Sequence, residues 1–466
     1  MARGWGRLGA GFMPFADALA AEMPFSRLLR LSLFQVTVGM AAVLLVGTLN
    51  RVMIVELGVP AWLVAVMISL PLVFAPLRAV VGFQSDNHRS VLGWKRVPYL
   101  WFGTMLQFGG LAIMPFALII LSGDSNGPIL IGKAAAALAF LMVGAGLHTT
   151  QTVGLALATD LTEPENHPSV VALLCMMLLL GMIASGLIFG VVLAHFSEIR
   201  LIQVIQGCAL ATMVLNAIAL WKQEPRCPSE TRHDRARSSF ASAWREFDRA
   251  GDARRRLAAL GIGTFAFSMQ DILLEPYGGQ VLHLAVGTTT GFSALLAFGG
   301  LIGFASAAKL LGGGTDPYRL AGWGAVAGLV AFTALIFAAP FQSLNLFALG
   351  VVLIGFGAGV FAHCTLTAAM SVAGRGQIGL ALGIWGAVQA SAAGSAVAAG
   401  GLIRDFVAVL AGQGRLGPAL IDPATGYGVV YVIEILLLFA TLIAVGPLIR
   451  HPIPALADPT AHRLAA

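Results

Sequence analysis

Two carboxylates one helical turn apart interrupt the apolar stretch "GTFAFSMQDILLEPYGGQVL", residues 263–282, which is otherwise greasy enough to cross a bilayer. Asp271 and Glu275, at i and i+4, would share one face of a continuous helix. Gln270 precedes them, and Pro276 withdraws the N–H that would bond the carbonyl of Ile272. Charge in apolar surroundings costs several kcal/mol unless it faces water or a partner, so the pair points to ion pairing, proton carriage or ligand binding. Arg51, flanked by Asn50 and Glu56 in "VLLVGTLNRVMIVELGV", is the natural counter-charge. His148, Thr149 and Gln151 in "GAGLHTTQTVGLALATD" and His363 in "GAGVFAHCTLTAAMSVA" offer nitrogen and oxygen groups inside other apolar runs, and Tyr277, Gln270, Trp385 and Gln389 add hydrogen-bond donors.

The elements that position these residues must be membrane spans. Of the 466 residues 58% are hydrophobic and 11% charged, against about a quarter charged in soluble domains. Apolar runs of roughly 20 residues begin near Leu31, Ala61, Tyr99, Ile129, Val170, Leu201, Leu257, Gly287, Leu320, Leu344, Ile378 and Tyr427, predicting twelve transmembrane helices in an all-α integral membrane fold. These runs are too long and too unalternating for barrel strands. With the N-terminus inside, 22 of the 28 Lys and Arg residues fall on the inner side. Both termini are therefore expected in the cytoplasm, although the inner loop "DLTEPENHP" is acidic.

The net charge of +6 follows this topology and the attraction of anionic inner-leaflet lipid, so it gives no argument for nucleic acid. Cys175, Cys208, Cys227 and Cys364 have no paired metal spacing and form no evident disulfide framework. The leader "MPFADALAAEMPFSRLLR" lacks the long apolar core of a signal peptide; it reads as an interfacial amphipathic segment held by Phe15, Phe25 and Leu28, or as a solvated one.

A polar segment divides the chain. The predicted organisation is an N-terminal segment (1–30), a six-helix bundle (31–221), a cytoplasmic central loop (222–256), a second six-helix bundle (257–449) and a tail (450–466). The halves echo each other: the two GAG strings align in spans four and ten, and Gly82-x-x-x-Asp86 after span two is matched by Gly312-x-x-x-Asp316 after span eight. Together with the loop "GFQSDNHRSVLGWKRVPYLWFG", this resembles the major facilitator superfamily, whose halves rock about a midplane site. Gly82, Asp86, Gly93, Lys95 and Arg96 match the roles of its loop signature, with four extra residues between Asp86 and Gly93, and imply a conformational latch rather than a substrate contact. In that superfamily spans one, four, seven and ten line the cavity, which gathers Asn50, Arg51, Glu56, His148, Gln151, Gln270, Asp271, Glu275 and His363 at one place.

A narrower resemblance rests on "PFADA", "LLRLSLFQVTVGMAAVLLVGTLNRVMIVELGVPA", "SDNHRSVLGWKRVPYLWFGTMLQFGGLAIMPFAL" and "FSMQDILLEPYGGQVLHLAVGTTT". These strings are similar to the PucC/LhaA family of light-harvesting complex assembly factors, the bacteriochlorophyll-delivery branch of the superfamily. The resemblance implies a membrane protein of a phototrophic bacterium's inner, photosynthetic membrane that hands bacteriochlorophyll to antenna polypeptides or chaperones their insertion. The implied partners are those polypeptides and pigment-biosynthesis enzymes. A pigment carrier needs an axial donor for magnesium, and His148 and His363, at nearly corresponding depths of spans four and ten, are the candidates. The residues themselves leave two further functions open: a proton-coupled transporter of a small solute using the Asp271 and Glu275 pair, and a pigment-free scaffold for antenna polypeptides. An enzyme is not expected, since there is no phosphate-binding glycine loop, nucleophile elbow or metal-ligand cluster.

Overall fold

A computed structural model describes residues 24–71, 94–123, 127–163, 166–224 and 252–372, then 378–450, with Arg78, Val81, Gln84, Ser85 and His88 between the first two blocks. Gly82, Asp86 and Gly93 of the expected latch, Phe15, and most of the central loop lie outside the described residues. All regular structure among the described residues is helical. We number the helices α1 (Phe25–Glu56), α2 (Ala61–Ser69 as described), α3 (Val97–Ser122), α4 (Ile129–Asp160), α5 (His167–Val192), α6 (Glu198–Leu220), α7 (Ala253–Gln280), α8 (Val286–Gly312), α9 (Pro317–Ala338), α10 (Leu344–Val372), α11 (Ile378–Gly412) and α12 (Ala424–Val445). Eleven are long and apolar enough to span a membrane, and α2 supplies the described part of the expected twelfth. Below, the inner end is that where α1 begins and the outer end that where it finishes.

Packing repeats between the two sets of six. α1 lies on α5 and α6 as α7 lies on α11 and α12, while α3 pairs with α4 as α9 pairs with α10. Two further pairs, α5 with α8 and α2 with α11, join the sets. Small residues set the approach, as expected where lipid offers no hydrophobic drive between helices. A Cβ on Gly146 would stand 2.7 Å from the backbone nitrogen of Gln107, and one on Gly357 would stand 2.6 Å from the carbonyl of Gly324.

These crossings correct the register expected between the halves. Gly146 meets Gly103 and Gln107 of α3, and Gly357 meets Gly324 and Gly328 of α9, in the same i, i+4 pattern. Gly144 against Pro71, two residues past the described end of α2, then corresponds to Gly355 against Leu296 and Gly300 of α8. Gly146 is thus equivalent to Gly357, two residues away from the alignment of the GAG strings. By this register the counterpart of His363 is Thr152, so the histidines differ in depth by one turn, about 6 Å. A three-residue identity among many glycines and alanines was too degenerate to fix the register; backbone contact does so.

The inner end is tied by side chains that accept from backbone. The Glu224 carboxylate, just after α6, receives the N–H groups of Lys95 (2.7 Å), Arg96 (3.0 Å) and Val97 (2.9 Å), the otherwise unbonded start of α3. Arg96 Nε donates to Asp160 Oδ2 at 2.9 Å and its Nη1 to Ser85 Oγ at 2.5 Å. Asp160 opens the acidic inner loop, whose charge is thus partly matched by Arg96. Asp316 caps α9 through the N–H of Arg319 at 2.8 Å, while Gly312 ends α8 with open space beside it. Leu28, expected as an interfacial anchor, is instead buried with Leu31, Phe34, Leu100 and Val153, because α1 starts at Phe25; Phe25 itself is exposed.

Candidate functional site

The residues raised by the sequence fall into two groups, one toward the outer end around an interruption in α7 and one toward the inner end around α4 and α10.

α7 runs as α-helix from Ala253 to Ser268, tightens to a 3-10 turn over Met269–Ile272 and restarts as α-helix over Leu274–Gln280. The expected break at Pro276-Tyr277-Gly278-Gly279 therefore lies earlier. Pro276 sits in the first turn of the restarted helix, where a missing N–H is tolerated, and the glycines continue that helix. The carbonyl that Pro276 leaves free does find a donor: Asn50 Nδ2 of α1 reaches Ile272 O at 2.9 Å. On the other side, the backbone N–H of Gln270 donates to Glu434 Oε1 of α12 at 2.7 Å. The interruption is thus satisfied by one side chain from each set of six helices, as an irregular backbone in apolar surroundings requires.

α1 is irregular at the facing level, with π-helical segments Val43–Leu49 and Val52–Glu56 bracketing Asn50 and Arg51. Such widened turns often mark functional positions. They also bring residue i+5 over residue i: Arg51 Nη1 pairs with Glu56 Oε1 at 2.6 Å, and Nη2 donates to Leu284 O at 3.1 Å. The guanidinium lies against Gly279, where a Cβ would stand 3.1 Å from Nη2.

Asp271, the expected partner of Arg51, accepts instead from Gln270 Nε2 at 2.5 Å. The 3-10 turn removes it from the face of Glu275, so the i, i+4 argument for a shared face fails. Glu275 is buried and accepts from Ser293 Oγ at 2.6 Å, with Thr290 Oγ1 at 3.5 Å and Thr48 of α1 a further 3.3 Å from Thr290. In double-mutant cycles on thermal unfolding in detergent, Arg51→Ala and Asp271→Asn should therefore add within about 0.5 kcal/mol. Arg51→Ala with Glu56→Gln should show a coupling of at most about 1 kcal/mol, because Glu56 keeps 37% of its side chain exposed. A coupling between Arg51 and Asp271 larger than that between Arg51 and Glu56 would overturn the assignment.

Tyr277 is also corrected. Its hydroxyl donates to Leu335 O at 3.2 Å, its ring stacks on Phe347 at 4.8 Å, and it is surrounded by Tyr427 and Tyr431. Its ring is enclosed by Phe347, Tyr427 and Tyr431, which makes it core rather than cavity lining. Beyond it, Gln280 Oε1 accepts from Tyr427 Oη at 2.7 Å and from Arg404 Nη2. Arg404 also donates to Asp405 Oδ1 at 2.6 Å, and Asp405 Oδ2 receives the N–H of Trp62 of α2 at 2.8 Å. This layer holds the outer ends of the two sets together, and deeper in the spans Ser69 Oγ donates to Gly394 O at 3.0 Å.

In the inner group, His148 is half-buried and its Nδ1 has no hydrogen-bond partner; the same is true of Nδ1 of His363, which packs on the ring of Phe304 at 4.0 Å. Trp385 Nε1 donates to Thr365 Oγ1 at 3.3 Å, and Gln389 is half-buried. Gln151 Oε1 accepts from Arg78 Nη2 at 2.9 Å, and Thr152 Oγ1 from Arg78 Nε at 2.9 Å. Among the described residues, no group of three or more His, Cys, Asp or Glu is placed to hold a metal ion, so either histidine would act as a lone axial donor to a metal already carried by its own ring.

Two residues here were missed as site candidates. Glu434 stands alone in "YVIEILLLF", and an isolated carboxylate in so apolar a run was signal enough; attention to spans one, four, seven and ten passed over it. Arg78 is an arginine inside an apolar run whose partners on α4 lie more than 70 residues away, so nothing near it in sequence marks its role.

The chain matches the family "PUCC protein" over residues 48–453. It is 57% identical to "Protein PucC" of Rhodovulum sulfidophilum over 415 residues, covering 86% of this chain and 90% of that protein. It is 56% identical to an "Uncharacterized protein in puhA-bchM intergenic region" of Rhodobacter capsulatus over 447 residues, covering 96% and 94%. In fold it resembles a bacterial homologue of the human lysosomal transporter Spinster in an inward-facing, unoccupied conformation, with a TM-score of 0.68 at 13% identity over 91% of this chain and 96% of that one.

Proposed function

The chain belongs to the PUCC protein family, and on that premise we propose that it is an assembly factor for bacterial light-harvesting antenna complexes, one that takes up bacteriochlorophyll between α4 and α10 and passes it to antenna polypeptides. The observation that carries the pigment reading is the pair of histidines, His148 and His363, whose buried Nδ1 atoms have no hydrogen-bond partner among the described residues. An imidazole kept free of internal hydrogen bonds is a suitable fifth ligand for the magnesium of a pigment already closed by its macrocycle. Gln151, Trp385 and Gln389 lie on the same inner stretches to receive the ring's edge, and Phe304 offers a flat apolar wall beside His363. No covalent step is required of the protein, and its role is non-enzymatic. The charge distribution supports an inner-membrane protein with both termini in the cytoplasm. Antenna polypeptides, and enzymes that make the pigment, are its proposed partners.

Purification in mild detergent from a pigmented host tests this directly. The wild-type protein should carry a near-infrared absorption band and copurify with antenna polypeptides, and His148→Leu with His363→Leu should at least halve the pigment per protein. A pigment-free preparation that still brings down antenna polypeptides would replace the carrier reading with a scaffold.

A second reading, a proton-coupled transporter of a small solute, draws support from the buried carboxylates Glu275 and Glu434 beside the α7 interruption and from the transporter fold. It predicts solute-driven proton movement in proteoliposomes without pigment.

A further inference from the structure

Arg78 is a cation in the inner half of a span with only neutral partners. Its Nε and one Nη2 hydrogen bind Thr152 and Gln151, leaving three of the five guanidinium N–H donors uncommitted among the described residues. Among the described residues no carboxylate pairs with it. The cost of an intramembrane charge argues that such a cation faces something that is itself charged.

Its surroundings are built rather than accidental. Arg78 lies seven residues beyond Pro71, and its acceptor Gln151 lies seven beyond Gly144, against which Pro71 packs. Pro71 and Arg78 thus meet α4 at points seven residues apart on both sides, and the guanidinium is held against α4 by two bonds. His148, whose Nδ1 is orphaned, precedes Gln151 and Thr152 by three and four residues and so shares their face. The matching position in the second half, by the register given above, is Phe304 with His363. Thr152 thus receives a guanidinium where its counterpart His363 receives an aromatic ring.

We propose that Arg78, oriented by Gln151 and Thr152 and assisted by His148, is a binding site for the carboxylate of a flat apolar ligand, namely a tetrapyrrole whose side-chain acid is free rather than esterified. This rests on the reading of the protein as a tetrapyrrole binder, and it replaces the esterified bacteriochlorophyll named there with a non-esterified precursor of the pigment as the ligand of this site. A planar guanidinium recognises a carboxylate through two parallel N–H···O bonds, which an ester cannot accept with equal strength. The ring itself would then extend from α4 toward Phe304 and His363.

The test uses the full-length protein in detergent, titrated with magnesium-containing chlorophyllide a and with its methyl ester, following quenching of the pigment's fluorescence. Wild type should bind the free acid at least tenfold more tightly than the ester. Arg78→Gln should bind the two within twofold of each other, the larger loss falling on the free acid, and Arg78→Lys, which keeps the charge but not the fork, should fall between. Size-exclusion profiles identical to wild type exclude misfolding as the cause. Equal binding of acid and ester by wild type, or a preference that survives Arg78→Gln, overturns the proposal while leaving the pigment reading intact. If neither compound binds wild type, the pigment reading falls and this site with it. If phosphatidylglycerol displaces the acid from wild type but not from Arg78→Gln, and wild type shows no preference for acid over ester, the site belongs to a lipid headgroup and the tetrapyrrole assignment is wrong.

Discussion

Asn50→Leu is expected to destabilise the protein by about 1–3 kcal/mol, the cost of leaving a buried carbonyl without a donor, because its Nδ2 serves the Ile272 carbonyl that Pro276 leaves free. The partner experiment makes the mechanism visible. In a Pro276→Ala background residue 276 regains an N–H, the i to i−4 bond to Ile272 can close, and Asn50→Leu should cost less than half as much as in wild type. Thermal unfolding in detergent across the four proteins reads the coupling directly. Equal costs in the two backgrounds would mean that Asn50 acts through something other than that carbonyl.

The second large effect is expected at Glu434. It is fully buried, with Oε1 accepting the N–H of Gln270 at 2.7 Å and Oε2 unpartnered. Glu434→Leu should cost a further about 1–3 kcal/mol by orphaning that N–H, whereas Glu434→Gln keeps an acceptor oxygen and should remain within about 1 kcal/mol of wild type. Loss of stability in Glu434→Gln equal to that in Glu434→Leu would show that the charge, and not acceptance from Gln270, is what the site needs.

The fold was legible because its signal is coarse. Twenty-residue apolar runs and the bias of Lys and Arg carry span number and class without any side-chain detail. The site was legible in part. Composition drew attention to Asn50, Arg51, Asp271 and Glu275, and the rule that proline frees the carbonyl four residues earlier named Ile272 before its donor was known. The partners were not legible. Arg51 was assigned to Asp271 on the assumption that α1 and α7 are regular, and both helices change their residues per turn at the level that matters. A π segment turns an i+5 neighbour such as Glu56 into the natural partner, and a 3-10 turn swings Asp271 away from Glu275. Such local changes of pitch answer to the neighbouring helices. Glu434 and Asn50 supply the hydrogen bonds that let α7 be irregular, and neither lies near it in sequence.

The two groups that satisfy the α7 interruption differ in one respect. Glu434 belongs to the same set of six helices as α7 and can travel with it, whereas Asn50 belongs to the opposing set. Any movement that parts α1 from α7 at the outer end strips the Ile272 carbonyl of its donor, and the replacement has to be a water molecule. An opening of that kind would be a hydration reaction as well as a separation of helices, and its equilibrium would respond to water activity: excluded osmolytes would favour the form in which α1 and α7 stay together, and Pro276→Ala, which lets the backbone close its own bond, would blunt that response.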